Sequence, residues 1–186
     1  MTARRTGTGV ISRRRLLGVG AAAVLSGLPF RGLAHARTPG KRELAFHNLH
    51  TGEKLRTTYW ADGAYVPGAL ADVDYLLRDF RTGDVKAIDV RLLDLLHVLS
   101  ERMGSAEAYE VISGYRSPKT NTMLASQSKG VAKKSLHMKG LAADVSLPGR
   151  QLGEVRQAAM ALRLGGVGYY PKRGFVHLDV GRVRSW

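Results

Sequence analysis

The chain has 186 residues, 44% of them hydrophobic, and a formal charge of +14. That length and apolar content suit one globular domain with a real core. There is no cysteine, which excludes a disulfide, a thiolate nucleophile and any cysteine-based metal site.

The first 36 residues have the anatomy of an export signal. Ser12-Arg13-Arg14-Arg15 supplies a charged start, residues 16–30 form a Gly/Ala-rich apolar run, and Ala34-His35-Ala36 is an A-x-A cleavage site. The apolar run is short for a membrane span, which needs roughly 20 such residues, so an uncleaved anchor is the weaker alternative. The paired arginines after Ser12 resemble the twin-arginine type of signal, which carries folded proteins across the bacterial inner membrane. This reading divides the chain into a signal, 1–36, and a mature domain, 37–186. Removing the signal takes six of the 29 basic residues and no acid, leaving 23 against 15 and a mature charge of +8. An exported protein rarely meets nucleic acid, so an anionic envelope polymer is the more available partner for such a surface. A merely soluble basic surface accounts for the charge equally well.

Residues 37–42 read as a flexible leader, and Glu43 to Trp60 as a hairpin turning near Thr51-Gly52-Glu53-Lys54. Asp62-Gly63 and Pro67-Gly68 punctuate the chain. A helix is expected from Asp72, with Val73, Leu76, Leu77 and Phe80 on one side and Gly83 ending it. From Asp84 a longer amphipathic helix is expected, with an apolar stripe of Val85, Ile88, Leu92, Leu95, Leu99 and Met103. Tyr109 to Ser113 is a short strand broken by Gly114–Pro118, and Lys119 to Gln127 can be helical before Ser128-Lys129-Gly130 loosens the chain. Leu141 to Leu147 alternates as a strand. Leu152, Val155, Ala158, Ala159 and Leu162 mark another helix face. Val167–Tyr170 and Phe175–Val180 flank Pro171-Lys172-Arg173-Gly174, a strong hairpin signal. The pattern predicts a single α+β domain with no internal repeat, a small and mostly antiparallel sheet, and helices packed on it.

In the strand Leu141–Leu147, Leu141, Ala143 and Val145 share one face, while Ala142, Asp144 and Ser146 share the other. In the last strand Val176, Leu178 and Val180 form the core face, with His177 and Asp179 together opposite. A His and an Asp inside such an apolar strand are costly unless something pairs with them. If the two strands are close, His137, Asp144 and His177 converge. Two imidazoles and a carboxylate suit zinc, with the fourth tetrahedral position open to water. The seven-residue spacing of His137 and Asp144 does not decide the matter: a loop histidine and a turn-capping aspartate would look the same.

Four blocks occur in order: Ser113-Gly114-Tyr115-Arg116-Ser117-Pro118-Lys119-Thr120-Asn121, then residues 134–144 (KSLHMKGLAAD), then Gly165–Pro171 (GGVGYYP) and Gly174–Asp179 (GFVHLD). Together they resemble the YcbK-like murein endopeptidases, the MepK group within the wider zinc D-Ala-D-Ala peptidase superfamily. Asn48-Leu49-His50-Thr51-Gly52-Glu53 resembles that family's N-terminal hairpin. The resemblance implies a zinc peptidase on the sheet, with His137, Asp144 and His177 holding one zinc ion. It implies that Arg116 faces the scissile carbonyl, holding substrate and stabilising the oxyanion as water attacks. By itself an arginine there also reads as a loop residue tied to a carboxylate. Tyr115 and Tyr170 are expected beside Arg116 in substrate binding.

One departure stands out. Better-known members of the superfamily carry a Glu or His just before the third ligand as general base, whereas Gly174, Phe175 and Val176 precede His177. Asp179 is the nearest acid, and is nominated as general base or as the group that orients a ligand histidine. A purely structural carboxylate, serving Arg116 or a backbone amide, is the bland reading. Of the remaining histidines, His97 reads as a packing or surface residue, His47 and His50 could reach the cleft rim but fit the hairpin surface better, and His35 leaves with the signal.

The implied activity is that of an exported zinc metallopeptidase, in the periplasm or cell envelope. It would hydrolyse peptide cross-links of peptidoglycan of either the D,D or the L,D kind, with no membrane span in the mature form. A carboxypeptidase trimming stem peptides is the near rival, and Lys133, Lys134, Lys139, Lys172 and Arg173 are there to supply a cationic pocket. A non-catalytic wall-binding module is the rival from another class.

Overall fold

The computed structural model describes residues 40–128 and 130–186. The export signal read from the sequence and most of the leader lie outside the described residues. Strands β1 (Lys41–Asn48) and β2 (Lys54–Ala61) form the expected hairpin, and the short β3 (Ala64–Tyr65) adds to β2. Helices α1 (Pro67–Leu76) and α2 (Val90–Arg102) follow, then β4 (Tyr109–Ser113) and α3 (Pro118–Gln127). A 3₁₀ turn (Leu136–Lys139) leads into β5 (Ala142–Ser146) and α4 (Leu152–Leu162). The chain closes with β6 (Gly166–Tyr170), a second 3₁₀ turn (Pro171–Arg173), β7 (Phe175–Asp179) and β8 (Arg184–Ser185).

The α+β reading holds, but the sheet differs from the expected small, mostly antiparallel one. Among the described residues it is a mixed sheet of eight strands in the order β3-β2-β1-β4-β5-β7-β6-β8. β1 runs parallel to β4, and β6 parallel to β8. A parallel pair needs a long crossover, and β2, β3, α1 and α2 provide it between β1 and β4. That joins the N-terminal hairpin to the late strands in one sheet, which local hairpin signals do not reveal.

Both early helices are displaced from the positions that the sequence pattern predicts. α1 starts at Pro67, whose fixed φ suits a first turn, and stops at Leu76. α2 starts at Val90 rather than Asp84, because the Asp89 carboxylate caps it by accepting from the Arg91 amide at 2.9 Å. Residues 85–89 are instead held outside the helix: the Ile88 amide donates to Asp74 Oδ1 at 2.7 Å and the Asp89 amide to the Gly140 carbonyl at 2.9 Å. Val85 therefore leaves the apolar stripe and is exposed, while Leu92, Leu95 and Leu99 are buried as expected.

Leu44, Phe46, Val111, Ala143, Val145, Val176 and Leu178 of the sheet are buried with Leu92, Leu96 and Leu99 of α2 and with Val155 and Ala159 of α4. Strand alternation then sends Asp144, His177 and Asp179 to the opposite face. Gly140 closes the turn before β5 with φ at +68°, and a Cβ there would run into the Ala87 carbonyl oxygen. Replacing Gly140 with Ala combines left-handed backbone strain with a backbone collision. The variant should lose at least about 2 kcal/mol of stability, read as a lowered midpoint in urea denaturation at neutral pH.

Candidate metal centre

Three separate pieces of chain bring the three expected ligands together. His137 sits on the first 3₁₀ turn, whose start is capped by Ser135 accepting from the His137 amide. Asp144 and His177 are direct cross-strand partners in the β5–β7 ladder. All three are buried, at 1%, 6% and 8% exposure.

The hydrogen bonds constrain where the ring protons sit. His137 Nδ1 lies 2.7 Å from the Gly114 carbonyl oxygen, which can only accept, so the proton is on Nδ1 and Nε2 holds a lone pair. His177 has a carboxylate oxygen beside each ring nitrogen, Asp179 Oδ2 at 3.0 Å from Nε2 and Asp144 Oδ1 at 2.8 Å from Nδ1, so a cation that takes Nδ1 leaves the ring proton on Nε2, facing Asp179. Around the shared point, His137 Nε2 is 3.1 Å from His177 Nδ1 and 3.2 Å from Asp144 Oδ1, and His177 Nδ1 is 2.8 Å from the same oxygen. Ligand atoms on a tetrahedral zinc, at roughly 2.0–2.1 Å from the metal, are about 3.3 Å apart. The donor set and its spacing fit a divalent cation, and the group can hold a metal.

The electrostatics agree. Burial pushes the His137 imidazole below its ordinary value, which keeps its lone pair available. Burial alone would raise Asp144, but His137 and His177 outweigh it and hold the carboxyl well below the usual range. His177 is pulled down by burial and more strongly up by Asp144 and Asp179, so it ends raised. A proton on His177 and a cation at the cluster are alternative answers to one negative field.

Arg116, in the loop after β4, holds the far side of Asp144: Nη2 donates to Oδ2 at 3.0 Å and Nε donates to Ser113 Oγ at 3.1 Å. The loop is itself anchored, since Tyr115 donates its amide to the Leu77 carbonyl at 2.7 Å and Ser117 to Asp79 Oδ2 at 2.8 Å. A side chain at Gly114 would collide with Leu77, so the close approach needs glycine there.

Asp179 lies behind His177 at 0% exposure. Oδ2 accepts from His177 Nε2 and, at 2.7 Å, from Arg184 Nη2. Oδ1 accepts from the Gly181 amide at 2.8 Å, from Arg184 Nη1 at 3.0 Å and from the Gly166 amide at 3.2 Å.

His137, Asp144, His177, Arg116 and Tyr170 all line one cleft of about 720 Å³. Tyr115 does not; its ring packs against the hydrophobic core. Lys134 and Arg173 line the cleft, whereas Lys133, Lys139 and Lys172 are not among its walls. His50 does reach the rim, where it stacks on Phe80 at 4.0 Å. His97 is buried in packing, near the Glu43 carbonyl. Arg184 and Trp186 are cleft residues that the sequence pattern does not nominate. The Trp186 ring lies 5.3 Å from the His177 ring, and its Nε1 donates to the Tyr170 hydroxyl at 2.8 Å. The two-residue spacing of Arg184 and Trp186 is a strand signal, but a two-residue strand is too short to stand out.

A family model described as peptidoglycan L,D-endopeptidase MepK matches residues 36–186. The chain is similar to the peptidoglycan L,D-endopeptidase MepK of Escherichia coli strain K12, 42% identical over 176 residues, covering 94% of this chain and 97% of that relative. The protein of the same name from Shigella flexneri matches to the same extent. The probable peptidoglycan L,D-endopeptidase MepK of Haemophilus influenzae is 42% identical over 177 residues, with 94% and 95% covered. No solved structure matches the chain.

Asp79, which anchors the Arg116 loop, provides a pH test. Burial alone would raise its carboxyl, but hydrogen bonds from Thr120, Ser117 and the Arg81 amide lower it from 3.8 to about 2. Because the folded value is the lower one, the ionised group stabilises the fold fully above 3.8, and this contribution fades as pH falls through about 2. Asp79→Asn should thus be less stable than wild type near pH 6, with the difference shrinking toward pH 2. Urea midpoints of both proteins across that range measure it.

Proposed function

The chain belongs to the MepK family of peptidoglycan L,D-endopeptidases, and on that premise we propose that it hydrolyses peptide cross-links in peptidoglycan at the His137–Asp144–His177 cluster. The observation that carries the reading is the convergence of two imidazole nitrogens and a carboxylate oxygen on one buried point at the wall of a cleft. The L,D linkage is the preferred substrate by the names of the relatives.

His137, Asp144 and His177 would hold one zinc ion. When bound, zinc supplies Lewis-acid polarisation of the scissile carbonyl and a water acidified toward neutral pH. The chain's own residues do the rest. Arg116 keeps Asp144 Oδ1 turned toward His137 and His177 by holding Oδ2, and its Nη1 has no partner among the described residues, so it would donate to the carbonyl oxygen as charge develops there. Water adds to the carbonyl carbon, the C–N bond breaks, and the amine departs with a proton taken from that water.

Of the two roles open to Asp179, the geometry supports the orienting one. Its carboxylate faces His177 from the side away from the cluster, and both oxygens are taken by donors. The Tyr170 ring, stacked on Phe175 at 4.7 Å, forms a wall against which a peptide can lie. Arg81, Lys134 and Arg173 add positive charge to the cleft, suited to the carboxylates of stem peptides.

The family match begins at residue 36, next to the mature start expected from the sequence. The arginines at 13–15 and the apolar run after them support reading residues 1–36 as a removable signal of the twin-arginine type, and with it the periplasm or cell envelope as the site of action. No helix among the described residues is long and apolar enough to cross a membrane.

Incubation with purified cross-linked muropeptides is the test. L,D-linked dimers should be cut to monomers, a chelator should stop the reaction, and added zinc should restore it. Intact dimers with zinc-loaded protein would defeat the reading, and release of a terminal residue from monomeric stems would mark a carboxypeptidase instead. His177→Ala should lose both zinc binding and cleavage. Arg116→Lys, which keeps the charge without the planar fork, should lower kcat/KM by roughly 100-fold.

A further inference from the structure

The third ligand depends on a residue beyond the four sequence blocks. Asp179 fixes His177 only while its own carboxylate is held in one plane, and the strongest grip on it comes from the C-terminal strand. The Arg184 guanidinium meets both oxygens, Nη2 to Oδ2 at 2.7 Å and Nη1 to Oδ1 at 3.0 Å, the two-pronged geometry that fixes a carboxylate plane. The amides of Gly166 and Gly181 reach Oδ1 alone. On Oδ2, the oxygen that accepts from His177, Arg184 is the other donor.

Arg184 is in turn held in place. Its Cζ lies 4.8 Å from the centre of the Trp186 ring, and Nη1 also donates to the Arg182 carbonyl at 3.1 Å. The strand beneath is fastened by two backbone bonds, Trp186 to the Val167 carbonyl at 3.2 Å and Tyr169 to the Trp186 carbonyl at 2.9 Å. A side chain at Gly166 would collide with both Arg184 Nη1 and Asp179 Oδ2, so β6 leaves the space the pair occupies.

We infer that Arg184 is a positioning residue for the metal ligand His177, acting through Asp179 to keep the ring proton on Nε2 and the Nδ1 lone pair on the cluster. This rests on the reading of the cluster as a metal site. Arg184 also borders the cleft, but its two terminal nitrogens both donate to Asp179. Loss of such a partner behind a ligand histidine typically weakens metal binding by about 10- to 100-fold.

The experiment uses the mature chain in metal-free form and needs no turnover. Zinc affinity is measured by competition with a chromogenic chelator, and the His177 tautomer by nitrogen-15 NMR of the imidazole at a pH high enough to leave the ring neutral. Wild type should bind zinc and show the His177 proton on Nε2. Arg184→Gln should bind zinc at least about tenfold more weakly and show averaged tautomer signals. Arg184→Lys keeps a positive charge on the buried carboxylate, and so the fold, but offers one prong; its affinity should fall between the two. In an Asp179→Asn background, Arg184→Gln should cause no further loss, since the route has been removed.

The inference is overturned if folded Arg184→Gln, or Arg184→Lys where the first does not fold, binds zinc as wild type does with the proton still on Nε2. A further tenfold loss in the Asp179→Asn background would overturn it too, by showing a different route. Wild type that binds no zinc would instead defeat the metal reading itself, a separable result.

Discussion

Two imidazole nitrogens and a carboxylate oxygen are pressed to within about 3 Å of one another inside the protein, and each ring meets a further acceptor at its outward nitrogen. In a low-dielectric interior that arrangement is repulsive and unstable unless positive charge enters it. The rest of the domain follows from holding it. His137 is tied from behind by the Gly114 carbonyl, His177 by Asp179, and Asp144 by Arg116. Each outer partner faces its residue from the side away from the shared point, so the three donor atoms are held together by the protein itself.

The sheet makes this possible because its middle strands bring the ligands level. Asp144 and His177 face each other across β5 and β7, so no loop conformation is needed to bring two of the three ligands together. The third comes from a turn that is less regular but well fastened. The Gly140 carbonyl accepts a hydrogen bond from the Asp89 amide just ahead of α2, and the His137 carbonyl accepts one from the Arg116 amide. The same links explain why α2 begins at Val90: the preceding residues brace the turn that carries His137. Local helix signals yield to a tertiary constraint at that point.

How far the sequence can be read depends on the range of the interactions. Strand alternation is local, so the amino-acid pattern alone separates Ala143 and Val145 from Asp144, and Val176 and Leu178 from His177. The sheet as a whole is not legible in this way, because the β1–β4 pairing spans some sixty residues and leaves no short-range pattern. Arg184 and Trp186 stay hidden for the opposite reason, since β8 is too short for periodicity to register. Tyr115 is drawn toward the site in the sequence because its neighbour Arg116 belongs there. A backbone bond from Tyr115 to Leu77 fixes the loop with that ring against the core instead. Asp179 is conspicuous as a residue in the sequence, but only the positions of its partners separate orienting a ligand from accepting a proton.

The departure before the third ligand has a physical explanation in the same strand. Val176 is paired with Val145, is fully buried, and belongs to the core face, one residue out of phase with His177. A proton acceptor at that position on this strand would point into the hydrophobic core rather than the cleft, where an ionised group is strongly disfavoured. Nor is Asp179 free to replace it, since both of its oxygens serve to keep His177 in register. Asp144 is the one carboxylate among the described residues lining the cleft, and Arg116 already engages its outer oxygen. Charge at this site is therefore arranged around one acidic ligand and a cationic rim. Such an arrangement favours holding an anionic peptide and stabilising negative charge on its carbonyl oxygen over proton abstraction by a dedicated carboxylate.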